Sequence, residues 1–132
     1  MKLQYIFIIL LLTTVIALTS CGNPSHEDIF TITSEGSFDA ANCEAKGLTG
    51  KAIMLESKYC GHCQDTLPIF AKACDDAGVK CEILDIAESE QYEKMISYDI
   101  EVQFTPTFII GCEYFIGVKD KEGYLSYLEN MN

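Results

Sequence analysis

The sequence predicts an α/β domain in which a central mixed sheet is flanked by helices, in the order βαβαβαββα. Two observations carry this. Short β-rich apolar runs alternate with stretches of helical periodicity, as in a sheet with parallel crossovers, and the last two runs are separated by only Gly111-Cys112-Glu113, a hairpin-length gap. At 132 residues, 48% of them hydrophobic, the chain has enough apolar surface for one core and too little for two.

Residues 1–20 read as a signal segment: Lys2 is followed by the almost wholly apolar Leu3 to Leu18, and the next charged residue is Glu27. The apolar run is short for a spanning helix, which needs about 20 such residues, and no basic flank follows it, so cleavage is expected. Leu18-Thr19-Ser20-Cys21 resembles a lipobox, the pattern at which prolipoproteins are processed, and this resemblance implies lipidation of Cys21. Lipid chains there would hold the protein at a membrane surface, each buried methylene contributing about 0.8 kcal/mol. An uncleaved signal anchor and an ordinary secretory signal are the alternatives, and all three place the domain at the extracytoplasmic face. Residues 21–28, polar and turn-rich and including His26, read as a tether, which leaves 29–132 for the folded domain.

Beyond the tether, Ile29 to Thr33 is β-rich, and Ser37 to Lys46 is helical, with Ser37 as N-cap and Gly47 as the stop. Ala52 to Glu56 predicts a central strand that leads into Tyr59-Cys60-Gly61-His62-Cys63 and a helix ending near Gly78. Val79 to Ile86 reads as the next strand, and Glu88 to Tyr98 as a helix with Tyr92, Met95 and Ile96 on one face. Thr107 to Ile110 and Tyr114 to Ile116 form the hairpin. Asp120 then caps a closing helix to Met131, weakened by Gly123 by roughly 1 kcal/mol.

Charge excludes some partners. All 20 acidic residues lie after Cys21, against eight lysines and no arginine, a formal charge of −12 for that part of the chain. Nucleic acid and anionic headgroups are therefore not expected to bind, and solubility is the simplest reason for the acidity.

The chemistry concentrates in Cys60 and Cys63, which fall at a strand-to-helix junction. A cysteine at a helix N-terminus meets unsatisfied N–H groups and the positive end of the dipole, which favour thiolate over thiol, so Cys60 is expected to be the nucleophile. Cys63, one turn further in, is the resolving thiol that attacks the mixed disulfide formed at Cys60. His62 lies between them and can carry positive charge beside the thiolate, favouring the dithiol and making the oxidised pair a better oxidant. A reduction potential above about −270 mV is expected.

With a strand before this motif, a helix beginning inside it, Pro68 five residues after Cys63, and Thr105-Pro106-Thr107 before a later strand, the chain resembles the thioredoxin superfamily from Ile29 to Met131. The pair Phe108 to Gly117 is similar to glutaredoxins, and Cys60-Gly61-His62-Cys63 to protein disulfide isomerases. The resemblance implies a thioredoxin fold, a cis Pro106 facing the cysteines, and a substrate strand docking beside Thr105 and Pro106, with Tyr59 and Gly61 flanking. Pro68 bends the helix and removes one hydrogen bond, without a catalytic part. The chain departs from the family at the buried acid that accepts a proton from the second cysteine, because Met54 stands there. Glu56 or Lys58 are the substitutes, although an exposed strand-end carboxylate is the expected state of Glu56.

Cys43, Cys74, Cys81 and Cys112 remain, an even number in an oxidising compartment, with three possible pairings. Proximity in sequence favours Cys74 with Cys81, and Cys43 with Cys112 by elimination; small buried free thiols are the alternative.

The expected function is thiol–disulfide oxidoreduction, as a disulfide oxidase or isomerase for secreted proteins through a Cys60 mixed disulfide. The expected partners are protein or peptide thiols and disulfides and a membrane redox partner, with the protein a monomer and no cofactor beyond the cysteine pair. A membrane-tethered reductase is the same chemistry run backwards. A Cu(I)-binding module through Cys60 and Cys63, assisted by His62, is a different class, but two thiolates make a poor closed site. An inactive fold used for binding alone is disfavoured by the intact motif.

Overall fold

The computed structural model describes residues 29–131; the signal segment, the tether and Cys21 lie outside the described residues. The elements run β1 (Phe30–Ile32), β2 (Gly36–Ser37), α1 (Ala40–Ala45), β3 (Ala52–Glu56), α2 (Gly61–Ala77), β4 (Cys81–Asp85), α3 (Ser89–Ile96), β5 (Ile100–Val102), β6 (Thr107–Ile110), β7 (Glu113–Ile116) and α4 (Lys121–Glu129). Five strands form a mixed sheet in the order β2-β7-β6-β3-β4, flanked by helices. β3 and β4 are parallel, joined by the α2 crossover, whereas β6 runs antiparallel to both β3 and β7.

β3 lies between β6 and β4, and all five of its residues are buried, as befits an apolar run covered on both faces. Alternation along the strand divides the interior in two. Ile53 and Leu55 pack with Cys43 of α1, Met95 of α3 and Ile109 of β6. Ala52 and Met54 pack with Cys63 and Phe70 of α2, Phe108 of β6 and Tyr124 of α4. The edge-to-face contact of Phe70 with Phe108, with ring centroids 5.0 Å apart, ties α2 to the sheet. One face of the sheet thus seats the helix that begins at the cysteine pair.

Three expectations are corrected. The N-terminal strand does not join the main sheet. β1 pairs in parallel with β5, a three-residue strand that the sequence pattern does not predict, to make a separate two-stranded sheet. Ser37 is not the cap of the first helix: it belongs to β2, paired with Glu113 of β7, and Asp39 caps α1 by accepting from the Asn42 N–H at 2.9 Å. The third helix ends at Ile96 rather than Tyr98, where a tight turn places Asp99 at φ 53°. Gly78, at φ 66°, stops α2 in the left-handed conformation that glycine adopts without steric cost. Among the described residues, no helix is long and apolar enough to cross a membrane.

Candidate redox site

β3 ends at Glu56, and Ser57 to Tyr59 turn the chain so that Cys60 becomes the N-cap of α2. The turn is closed by the Cys60 N–H donating to the Ser57 carbonyl at 2.8 Å. The Cys63 N–H then donates to Cys60 Sγ at 3.2 Å, so the sulfur occupies the place that a serine or aspartate oxygen takes in an ordinary cap. This is where a thiolate gains most from the helix, because free N–H groups and the dipole end both point at it. Cys60 and Cys63 form a disulfide with Cα atoms 5.2 Å apart. Cys60 is half-buried, whereas Cys63 is fully enclosed, so an incoming thiol reaches the pair at Cys60.

The peptide bond between Thr105 and Pro106 is cis. The Thr105 carbonyl oxygen lies 3.5 Å from Cys60 Sγ, a contact in the disulfide and a possible acceptor for the protonated thiol. Pro106 is buried, and its carbonyl accepts from the Gly117 N–H at 2.9 Å, fixing this loop to the end of β7. Tyr59 is 83% exposed and Phe104 50%, so aromatic surface stands in solvent on both chain segments that meet at Cys60. Gly61 and His62 are exposed in the first turn of α2. The sequence-predicted residues Tyr59, Cys60, Gly61, His62, Cys63, Thr105 and Pro106 therefore all lie on two segments joined at one sulfur. Pro68 sits inside α2, which continues past it to Ala77.

Glu56 is a correction. It is not an exposed strand-end carboxylate but only 7% exposed, with Oε2 accepting from Gln64 Nε2 at 3.2 Å. Its place on β3 is two residues from Met54, on the face covered by α2. Burial pushes its pKa up, and repulsion from Asp85, its register partner on β4, adds to this, while the bond from Gln64 opposes both. Lys58 points elsewhere, paired with Glu88 on the surface. Alternation from Met54 puts Glu56 on the α2 face, but no sequence signal shows that the α2 turn and Gln64 cover it.

The other cysteines are paired too. Cys43 joins Cys112, with Cα atoms 5.4 Å apart, and Cys74 joins Cys81 at 6.0 Å, the pair left by elimination and the pair favoured by proximity in sequence. The first ties α1 to the β6–β7 turn, the second the last turn of α2 to the start of β4. Among the described residues, no group of three or more His, Cys, Asp or Glu side chains converges to hold a metal ion. Compared with known protein families and with curated proteins, the chain matches no family model and no curated relative.

Proposed function

We propose that this protein is a thiol–disulfide oxidoreductase of thioredoxin fold, anchored at the extracytoplasmic face of a membrane and acting as a disulfide oxidase or isomerase on secreted proteins. The observation that carries the reading is the pairing of a half-buried sulfur at a helix N-cap with a fully enclosed partner one turn later. A substrate thiolate attacks Cys60 Sγ, the Cys60–Cys63 bond breaks, and Cys63 leaves as a thiolate. A second substrate thiolate then attacks the substrate sulfur of the mixed disulfide, releasing an oxidised substrate and a reduced pair. The N–H groups of the first turn of α2, which also carries the exposed His62, stabilise the departing Cys60 thiolate.

The substrate docks as an extended segment along Thr105 and Pro106, with Tyr59 and Phe104 as apolar contacts on either side of Cys60. Recycling requires a membrane partner that reoxidises the pair. The test is the reduction potential of Cys60/Cys63, from equilibration of the full chain in glutathione buffers. A value near −180 mV or above is expected; one near −270 mV would make the protein a reductase instead. No exchange at Cys60 at any poise would end both readings.

A further inference from the structure

Six large hydrophobic side chains stand exposed among the described residues, and four of them, Tyr59, Ile69, Phe104 and Val118, lie on α2 or on loops that meet near its first turn. Tyr59 precedes Cys60 in the chain, and Phe104 precedes Thr105, whose carbonyl oxygen is 3.5 Å from Cys60 Sγ. Val118 follows Gly117, whose N–H donates to the Pro106 carbonyl at 2.9 Å. Single exposed hydrophobics are ordinary, but four gathered about one reachable sulfur mark a binding surface.

Ile69 and Val118 line a hollow of about 230 Å³ between α2 and the turn that leads from β7 into α4, together with His62, Asp65, Thr66 and Lys119. Its walls are mainly apolar, and it adjoins the cysteine pair through His62, two residues beyond Cys60. Both sides are held at a set spacing by one hydroxyl: Tyr124 Oη lies 2.7 Å from Oγ1 of the buried Thr66 and accepts from the Lys119 N–H at 3.1 Å. Lys119 keeps its ammonium over the ring of Phe115, 4.6 Å from the centroid and outside the lining. The hollow is smaller than the roughly 300–1,000 Å³ of small-molecule sites, and its size suits a single large side chain.

We propose that this hollow is a specificity pocket that takes one apolar side chain, of leucine or phenylalanine size, from a polypeptide whose cysteine exchanges at Cys60. The inference rests on the reading of Cys60 and Cys63 as the exchanging pair. In an extended substrate the side chains on one face recur every two residues, about 7 Å apart. One of the two residues at that spacing from the substrate cysteine then reaches the first turn of α2, where His62 borders the hollow. Ile69 and Val118 set the selectivity, because an apolar side chain buried between them leaves water and a polar one gains nothing comparable. Small thiols such as glutathione have no side chain to place there. The favoured substrates are therefore polypeptides with apolar residues beside an accessible cysteine, as in incompletely folded secreted chains.

The test measures the second-order rate of disulfide transfer from the oxidised full chain to dithiol peptides that differ only in carrying leucine or serine two residues before and after each cysteine. Each rate is divided by that peptide's own rate with oxidised glutathione, which removes differences in thiol reactivity. We expect the leucine peptide to react about tenfold faster, Ile69→Ser/Val118→Ser to bring the ratio near one, and the conservative Ile69→Leu/Val118→Ile to keep it. Equal rates on the parent chain, or a ratio that survives Ile69→Ser/Val118→Ser, would overturn the pocket while leaving exchange at Cys60 standing. No transfer to any peptide or to dithiothreitol would instead end the redox reading, and the pocket with it. Should the double variant fail to fold, Val118→Lys alone, at a position 56% exposed, puts a charge at the hollow and must lower the ratio; an unchanged ratio would overturn the proposal as well.

Discussion

The two sulfurs of the proposed active site differ in access, and that difference dictates what each substitution should do. Cys60 is the reachable one, so Cys60→Ser is expected to lower disulfide transfer by about a thousandfold or more. Cys63→Ser should instead leave Cys60 able to attack a substrate disulfide without the neighbouring thiol that resolves the product, so with no free substrate thiol present a mixed disulfide accumulates and is visible as added mass. Accumulation on Cys60→Ser instead would reverse the roles. Glu56 has a different signature. A carboxyl whose pKa is raised by folding binds its proton more tightly folded than unfolded, so stability is highest below its ordinary value of 4.5 and falls as pH rises through the raised one. Glu56→Gln should remove that part of the slope and leave the protein at least as stable at neutral pH. Urea midpoints between about pH 4 and pH 8 would check this, and a lower midpoint for the variant at neutral pH would mean that the carboxylate stabilises the fold. The sequence does not reveal this burial because alternation places Glu56 on a face without saying whether Gln64 and the α2 turn cover it.

The elements that position the cysteines were also the most legible. β3 is a run of four apolar residues ending in Glu56, and α2 is a long amphipathic stretch with a glycine stop, so period and punctuation agree there. β2 and β5 were not legible, because two- and three-residue strands have no period of their own and exist through partners far along the chain: Gly36 opposite Tyr114, and Ile100 opposite Phe30. The packing of α2 on α4 is equally non-local. Tyr124 Oη lies 2.7 Å from Thr66 Oγ1 and accepts from the Lys119 N–H at 3.1 Å, joining α2 to α4 and its leading turn. Tyr124 is fully buried, so Tyr124→Phe leaves both partners unsatisfied and should cost about 2 kcal/mol. Thr66→Val, which keeps the Lys119 bond, should cost about half as much. A Tyr124→Phe chain as stable as the parent would show that this bridge does not hold α2 in place.

At the scale of the whole molecule, a net charge of −11 works against compaction, and two covalent links besides the Cys60–Cys63 bond oppose it. They are not equivalent. The Cys43–Cys112 bond spans 69 residues and closes a loop that contains β3, α2, β4, α3, β5 and β6, while the Cys74–Cys81 bond spans seven and closes one turn. Restricting the unfolded chain stabilises the fold by about 4 kcal/mol for the long loop and about 2.5 kcal/mol for the short one. Cys43 is also fully enclosed, so removing its sulfur opens a void that adds to the loss. Cys43→Ala/Cys112→Ala should therefore lower the unfolding free energy more than Cys74→Ala/Cys81→Ala, measured in urea with the Cys60–Cys63 pair held oxidised in both. If the short-loop variant proved the less stable of the two, Cys74–Cys81 rather than Cys43–Cys112 would be the main clamp of the fold.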